Sequence, residues 1–189
     1  MITIIALQGK TSSGKDSAAR YIREIYGIEP VISFATRPIR DSEVEGREHY
    51  FINDAQMDEI VKDEASMLAF VQFPKTGYRY CASTRDLKDG TTMTYIIDPS
   101  GLQWLKDHRP DVKVISLFFD LSEEIIKERA LKRGDNLVDI EARLDSEREM
   151  FDSFKNSGVY DVRIDTDDTP ENVNQKIREA LEKFDIMPL

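Results

Sequence analysis

The chain opens Met1-Ile2-Thr3-Ile4-Ile5-Ala6-Leu7-Gln8-Gly9-Lys10-Thr11-Ser12-Ser13-Gly14-Lys15-Asp16-Ser17, and this stretch decides the fold. The apolar run Ile2 to Leu7 reads as a buried strand. It enters a turn with glycines at 9 and 14, and helix-like sequence continues from Asp16 to Tyr26. In that arrangement glycines let backbone N–H groups curl around phosphate oxygens, and the helix start adds the positive end of its dipole. Lys15 supplies a full charge. The spacing is the G-x-x-x-x-G-K pattern of phosphate loops, except that the closing Ser or Thr, whose hydroxyl binds Mg²⁺, is replaced by Asp16 with Ser17 behind it. Gly9, Thr11, Ser12, Ser13, Gly14, Lys15, Asp16 and Ser17 are therefore the candidate seat of a nucleoside triphosphate. Asp16 and Ser17 are the candidate Mg²⁺ contacts.

Outward from the loop, 189 residues suit one domain that needs no disulfide or metal staple. The net charge of −10 argues against a nucleic-acid polymer as partner, so an anionic ligand must be drawn in by a local basic cluster. Cys81 is the single cysteine, which excludes an internal disulfide. The chain enters a core strand at once and carries no apolar run long enough to span a bilayer, so the expectation is a soluble cytoplasmic protein with no membrane partner.

Apolar runs at Thr3–Leu7, Val31–Phe34, Thr92–Ile97, Val112–Phe119 and Tyr160–Ile164 alternate with helix-like segments at Ser17–Tyr26, Ser100–Asp107, Ser122–Lys132, Val138–Lys155 and Pro170–Phe184. This is the pattern of an α/β domain with a central five-stranded parallel sheet flanked by helices. From Arg37 to Arg85 the short runs His49–Ile52, Leu68–Phe73 and Tyr78–Ala82 predict a small β-rich insert. Arg133-Gly134-Asp135-Asn136, between two helices, reads as the hinge of a short lid.

Asp98 closes a buried strand at its carboxyl end, where ligands gather in open α/β sheets. It is a candidate metal-organising acid, and equally a candidate cap for the helix that follows Pro99. Arg37, Arg40, Arg129, Arg133 and Arg143 supply guanidinium groups suited to phosphoryl oxygens, although any one of them also reads as a solvated helix charge. Cys81, His108 and Trp104 read as core or surface residues.

The segment Ser33-Phe34-Ala35-Thr36-Arg37-Pro38-Ile39-Arg40-Asp41-Ser42-Glu43-Val44-Glu45-Gly46-Arg47-Glu48-His49-Tyr50-Phe51 resembles the guanylate kinase family. In that family a serine, Thr-Arg, a second arginine, Glu-Val-x-Gly and an aromatic lead into the monophosphate-binding insert. Phe70-Val71-Gln72-Phe73, Tyr80, Ile97-Asp98, Arg133-Gly134 and Ala142-Arg143-Leu144 extend the resemblance from Ile4 to about Ile177.

The resemblance implies a P-loop kinase fold in a single domain of residues 1–189, with a monophosphate-binding insert at 35–85 and a helical lid at about 129–145. It implies transfer of the γ-phosphoryl of ATP, with Mg²⁺, to a nucleoside monophosphate such as GMP or dGMP. Lys15, Arg133, Arg143 and Arg129 would act on the transferring group. Ser33, Arg37, Arg40, Tyr80, Ser83 and Asp98 would hold the acceptor, together with either Tyr50 or His49, and Asp98 would share in the metal site. Tyr50 is the slightly favoured aromatic.

The chain departs from the family at the base. Ala69 stands where a glutamate meets the guanine edge, Cys81-Ala82-Ser83 replaces a Gly-Ser/Thr pair, and Ser100 replaces an acid. Asp16 is the further departure, a Gly-Lys-Asp ending that also resembles some phage-type deoxynucleoside monophosphate kinases and animal-type phosphomevalonate kinases. A kinase for another phosphorylated small molecule, or a non-catalytic protein-binding module of the same fold, are the alternative readings.

Overall fold

The computed structural model describes residues 1–40, 43–47, 49–73, 76–84 and 87–189. Asp41, Ser42 and Glu48 of the segment quoted above, and Arg85 at the end of the insert, lie outside the described residues.

The opening run forms β1 (Ile2–Gln8), with Ile4, Ile5, Ala6 and Leu7 all fully buried. Four consecutive buried residues require cover on both faces, and the partners supply it. β1 lies between β6 (Thr92–Ile96) and β7 (Val112–Asp120), with β8 (Val162–Asp165) beyond β7, all parallel. Ile5 and Leu7 point to the side covered by α1 (Lys15–Tyr26) and α6 (Pro170–Glu182), where they meet Ile22, Ile177 and Leu181. Ile4 and Ala6 point to the other side, where α3 (Pro99–His108) brings Leu102 and Leu105, and α5 (Leu137–Ser157) brings Phe151 and Phe154. Each buried Ile, Leu or Phe among these contributes about 1.5–3 kcal/mol relative to exposure.

The parallel sheet therefore has four strands among the described residues, not five. The expected strand at 31–34 splits between two sheets. Pro30 and Val31 extend the edge of β6 by a bridge to Thr94, with Val31 N–H donating to the Thr94 carbonyl at 2.7 Å and Thr94 N–H to Glu29 at 3.1 Å. Ser33–Ala35 then becomes β2 of the insert.

The insert sheet has the order β3 (His49–Phe51), β2, β5 (Arg79–Ser83), β4 (Met67–Gln72). Sequence patterning missed α2 (Asp54–Val61), which starts with a reciprocal capping box between Asn53 and Gln56 and buries Met57 against Met67 and Cys81. α4 (Glu123–Arg133) ends at Gly134 in the left-handed region, and Asn136 caps α5. The two helices pack through Ile126, Ala130, Ile140 and Leu144, so the expected lid is the tip of a helical hairpin. Among the described residues, no helix is long and apolar enough to cross a membrane.

Candidate active site

The phosphate loop is held open by its two glycines. Gly9 has φ +152°, and a Cβ there would stand 2.5 Å from both the Phe119 carbonyl and Ser13 Oγ. Gly14 has φ +101° and begins α1 with no side-chain cap, leaving the helix start to an anion. Ser12 also has a positive φ, +57°, which side chains seldom adopt. Lys15 folds back over the loop, its Nζ donating to the Gly9 carbonyl at 2.6 Å and the Lys10 carbonyl at 2.7 Å. Burial lowers its pKa. Thr11 N–H donates to Glu147 of α5 at 2.7 Å. Asp16 and Ser17 are exposed at the first turn of α1.

Arg133 reaches the loop from the α4–α5 hairpin, its Nη2 donating to Ser12 Oγ at 2.7 Å while Asp135 holds the same guanidinium. Arg143 is exposed on α5, and its charge is felt both by Arg40 and by Glu147. Arg129 differs from the expectation. Its Nη2 donates to the Thr166 carbonyl at 2.6 Å, just past β8 and two strands from β1, so it ties α4 to the sheet edge. Asp98 caps α3, Oδ1 accepting from Gly101 N–H at 2.8 Å and Ser100 Oγ at 2.6 Å.

The acceptor-side residues are gathered by the insert sheet. Ser33 and His49 are direct partners in the parallel β2–β3 register, and Ser33 Oγ lies 2.8 Å from His49 Nδ1. Tyr80, opposite Ala35, accepts a 3.0 Å bond from Arg37 Nε. The other Arg37 nitrogens grip Glu43 at 2.6 and 2.5 Å, which orients the fork and holds the Glu43 carboxyl down at about 2. Arg40 N–H donates to Glu43 as well. A cleft of about 620 Å³ opens here, lined by Ser33, Arg37, Arg40, Glu43 and His49 on the insert and by Asp16, Ala19 and Arg20 of α1.

Of the two aromatic candidates, His49 lines the cleft and Tyr50 does not. Successive strand residues face opposite ways, so Phe34 and Tyr50 share the other face, their rings 5.4 Å apart. Ser83 bonds Ser66 at 3.2 Å and does not line the cleft. Ala69 and Ala82 are cross-strand partners, 2% and 0% exposed, in one apolar cluster with Leu68, Tyr95 and Ile97. Position 69 is thus core. Sequence reasoning assigned no role to Glu43, Glu147, Arg20 or Lys10. Glu43 was readable as an acid three residues after Arg40, whereas Glu147 carries no local signal.

A strand–loop–helix turn with the spacing of a phosphate loop, an arginine of the α4–α5 hairpin bonded to it, and an arginine-lined cleft beside it fit a P-loop phosphotransferase of the nucleoside monophosphate kinase class. A family model for guanylate kinase matches residues 2–184, and the chain belongs to the guanylate kinase family. It is 29% identical over 190 residues to the guanylate kinase of Syntrophus aciditrophicus, covering 97% of this chain and 84% of that one. It is 27% identical over 148 residues to the guanylate kinase of Leifsonia xyli, covering 76% of this chain but only 58% of that one. The crystal structure of guanylate kinase from Anaplasma phagocytophilum shares the fold, with a TM-score of 0.60 at 19% identity over 96% of this chain and 86% of that one. The chain is accordingly an ATP-dependent, guanylate kinase-like enzyme.

Proposed function

We propose that this enzyme transfers the γ-phosphoryl of ATP to GMP, dGMP or a related nucleoside monophosphate, releasing ADP and the nucleoside diphosphate, in the cytoplasm. One observation carries the reading. The cleft that presents Arg37, Arg40 and His49 also runs along Asp16 and Ala19, so the acceptor side abuts the start of the helix that follows the phosphate loop. In this reading, Gly9 to Ser17 hold the donor, and Arg37, Arg40 and His49 hold the acceptor phosphate, with Tyr80 steadying the Arg37 guanidinium. Arg133 and Arg143 close over the group in transit. Most of the catalysis is then positioning and charge, because the transferred group spreads its charge over oxygens that preset guanidinium forks can bind. A closed lid also excludes water as a competing acceptor.

Mg²⁺ fits the site only as an ion carried with the nucleotide. Among the described residues no group of three His, Cys, Asp or Glu side chains is placed to hold a metal, which suits an ion that keeps waters and phosphate oxygens as most of its ligands. The exposed Asp16 and Ser17 are the residues we assign to it. When bound, the ion offsets charge on the phosphates.

A second acceptor class, another phosphorylated small molecule, is favoured by one specific observation. Ala69 and Ala82 are buried in the core and do not line the cleft, so neither position offers a hydrogen-bonding group to a guanine edge, and a site without such groups separates similar ligands only weakly. ADP release with Mg²⁺-ATP, measured against ribo- and deoxynucleoside monophosphates and phosphomevalonate, tests both readings, with Lys15→Ala as the control. Turnover on a nucleoside monophosphate that is lost in the variant is expected. ATP binding without turnover on any nucleoside monophosphate would overturn the proposal.

A further inference from the structure

Glu147 puts a carboxylate where an anion of the donor belongs. Its Oε2 accepts the Thr11 N–H at 2.7 Å, and Thr11 is part of the loop whose amides are built for phosphate oxygens. The residue sits on α5, one helical turn after Arg143, so the two share a helix face. The groups around it are Lys15, Arg143 and Lys10, whose charges favour the ionised form, and burial, which opposes it and prevails, raising the pKa. Lys15 turns its ammonium onto loop carbonyls. A second clamp binds α5 to the same loop, for Lys10 Nζ donates to Asp152 of α5 and to Glu123 of α4, both at 2.9 Å. Glu123 in turn holds Arg148 of α5 at 2.7 Å. The lid hairpin is therefore fastened to the loop by its own acids.

We propose that Glu147 is a built-in competitor for the donor: its carboxylate occupies the Thr11 amide when ATP is absent and must leave before a triphosphate seats fully. A phosphate oxygen and a carboxylate cannot both accept one N–H, and two anions in contact repel strongly where solvent is scarce. Donor binding then breaks the Thr11–Glu147 bond and loosens the helix that carries Arg143, which stays tied to the loop through Lys10 and Asp152. The side chain thus sets donor affinity and couples donor occupancy to the position of the lid. This rests on the reading of Gly9 to Ser17 as the donor seat.

The test measures binding without turnover. Titration calorimetry gives dissociation constants for Mg²⁺-ATP and, separately, for GMP, with the wild type, Glu147→Gln and Glu147→Ala. Hydrogen exchange of the Thr11 amide is followed in each free protein and with ATP. We expect ATP binding to tighten about tenfold in Glu147→Ala, the scale of one like-charge contact removed in a partly screened site, and less in Glu147→Gln, which keeps an acceptor. GMP binding should move less than twofold. Thr11 should exchange slowly in the free wild type, fast in free Glu147→Ala, and slowly again when ATP is added to the variant. Unchanged or weaker ATP binding in Glu147→Ala, with the Thr11 amide equally protected in both free proteins, overturns the inference while leaving the donor reading intact. A wild type that binds no ATP sinks both.

Discussion

Replacing Glu43 by glutamine should cost stability in a way that pH reveals. The Arg37 guanidinium makes two short bonds to this carboxylate, the side chains being only 6% and 11% exposed. That bonding, with burial opposing it, holds the Glu43 carboxyl at about 2 instead of 4.5. At about 1.36 kcal/mol for each factor of ten in proton affinity, the depression caps the pair's contribution at about 3.4 kcal/mol. The pair borders an open cleft, so screening brings the expected value to about 1–2 kcal/mol. Because the folded value is depressed, the contribution is fully present above the unfolded value of 4.5 and is lost as pH falls through about 2. Urea denaturation of wild type and Glu43→Gln between pH 7 and pH 3 reads it directly. The stability difference should be level down to about pH 5 and should have lost more than half its size by pH 3. A difference that stays constant to pH 3, or none at pH 7, would refute the assignment of the shift to this pair.

Three further outcomes follow from the geometry. Gly9→Ala should lower stability by about 1–3 kcal/mol from its φ alone, with more from the 2.5 Å approach to the Phe119 carbonyl, and should weaken ATP binding; a variant matching wild type in thermal unfolding and ATP titration would contradict this. His49→Gln should raise the acceptor KM about tenfold, the scale of one lost hydrogen bond to a charged group, whereas Tyr50→Phe should leave it within about twofold. The reverse ranking in steady-state kinetics would show that Tyr50 faces the acceptor. Ala69→Glu should destabilise the protein by about 3 kcal/mol, because it buries a carboxylate among Ala82, Leu68 and Tyr95; undiminished thermal stability with improved use of GMP would show that position 69 opens to the base.

What was legible in the sequence was what local pattern determines. The run Ile2–Leu7, the two glycines and Lys15 announce strand, loop and helix within seventeen residues, and the structure forms them there. Which sheet a strand joins is a different matter. Val31–Phe34 is apolar enough for either, and only the bridge to Thr94 and the pairing of Ser33 with His49 divide it. The choice between His49 and Tyr50 turned on a one-residue register, which in a strand reverses the face. Of the 36 acids, Glu43 is marked by its place three residues after Arg40, whereas Glu147 has no local mark. Glu147 is distinguished by a partner 136 residues away, information that no local window holds. The capping box at Asn53 and Gln56, with Met57, Ile60 and Val61 behind it, was readable as a helix start.

The central claim is that the chain moves the γ-phosphoryl of ATP to a nucleoside monophosphate. Incubating it with γ-labelled ATP, Mg²⁺ and GMP or dGMP, and resolving the products, tests this most directly. The account predicts label in the nucleoside diphosphate, abolished by Lys15→Ala. Label that remains in ATP, or that passes to inorganic phosphate at the same rate with and without the acceptor, would contradict it.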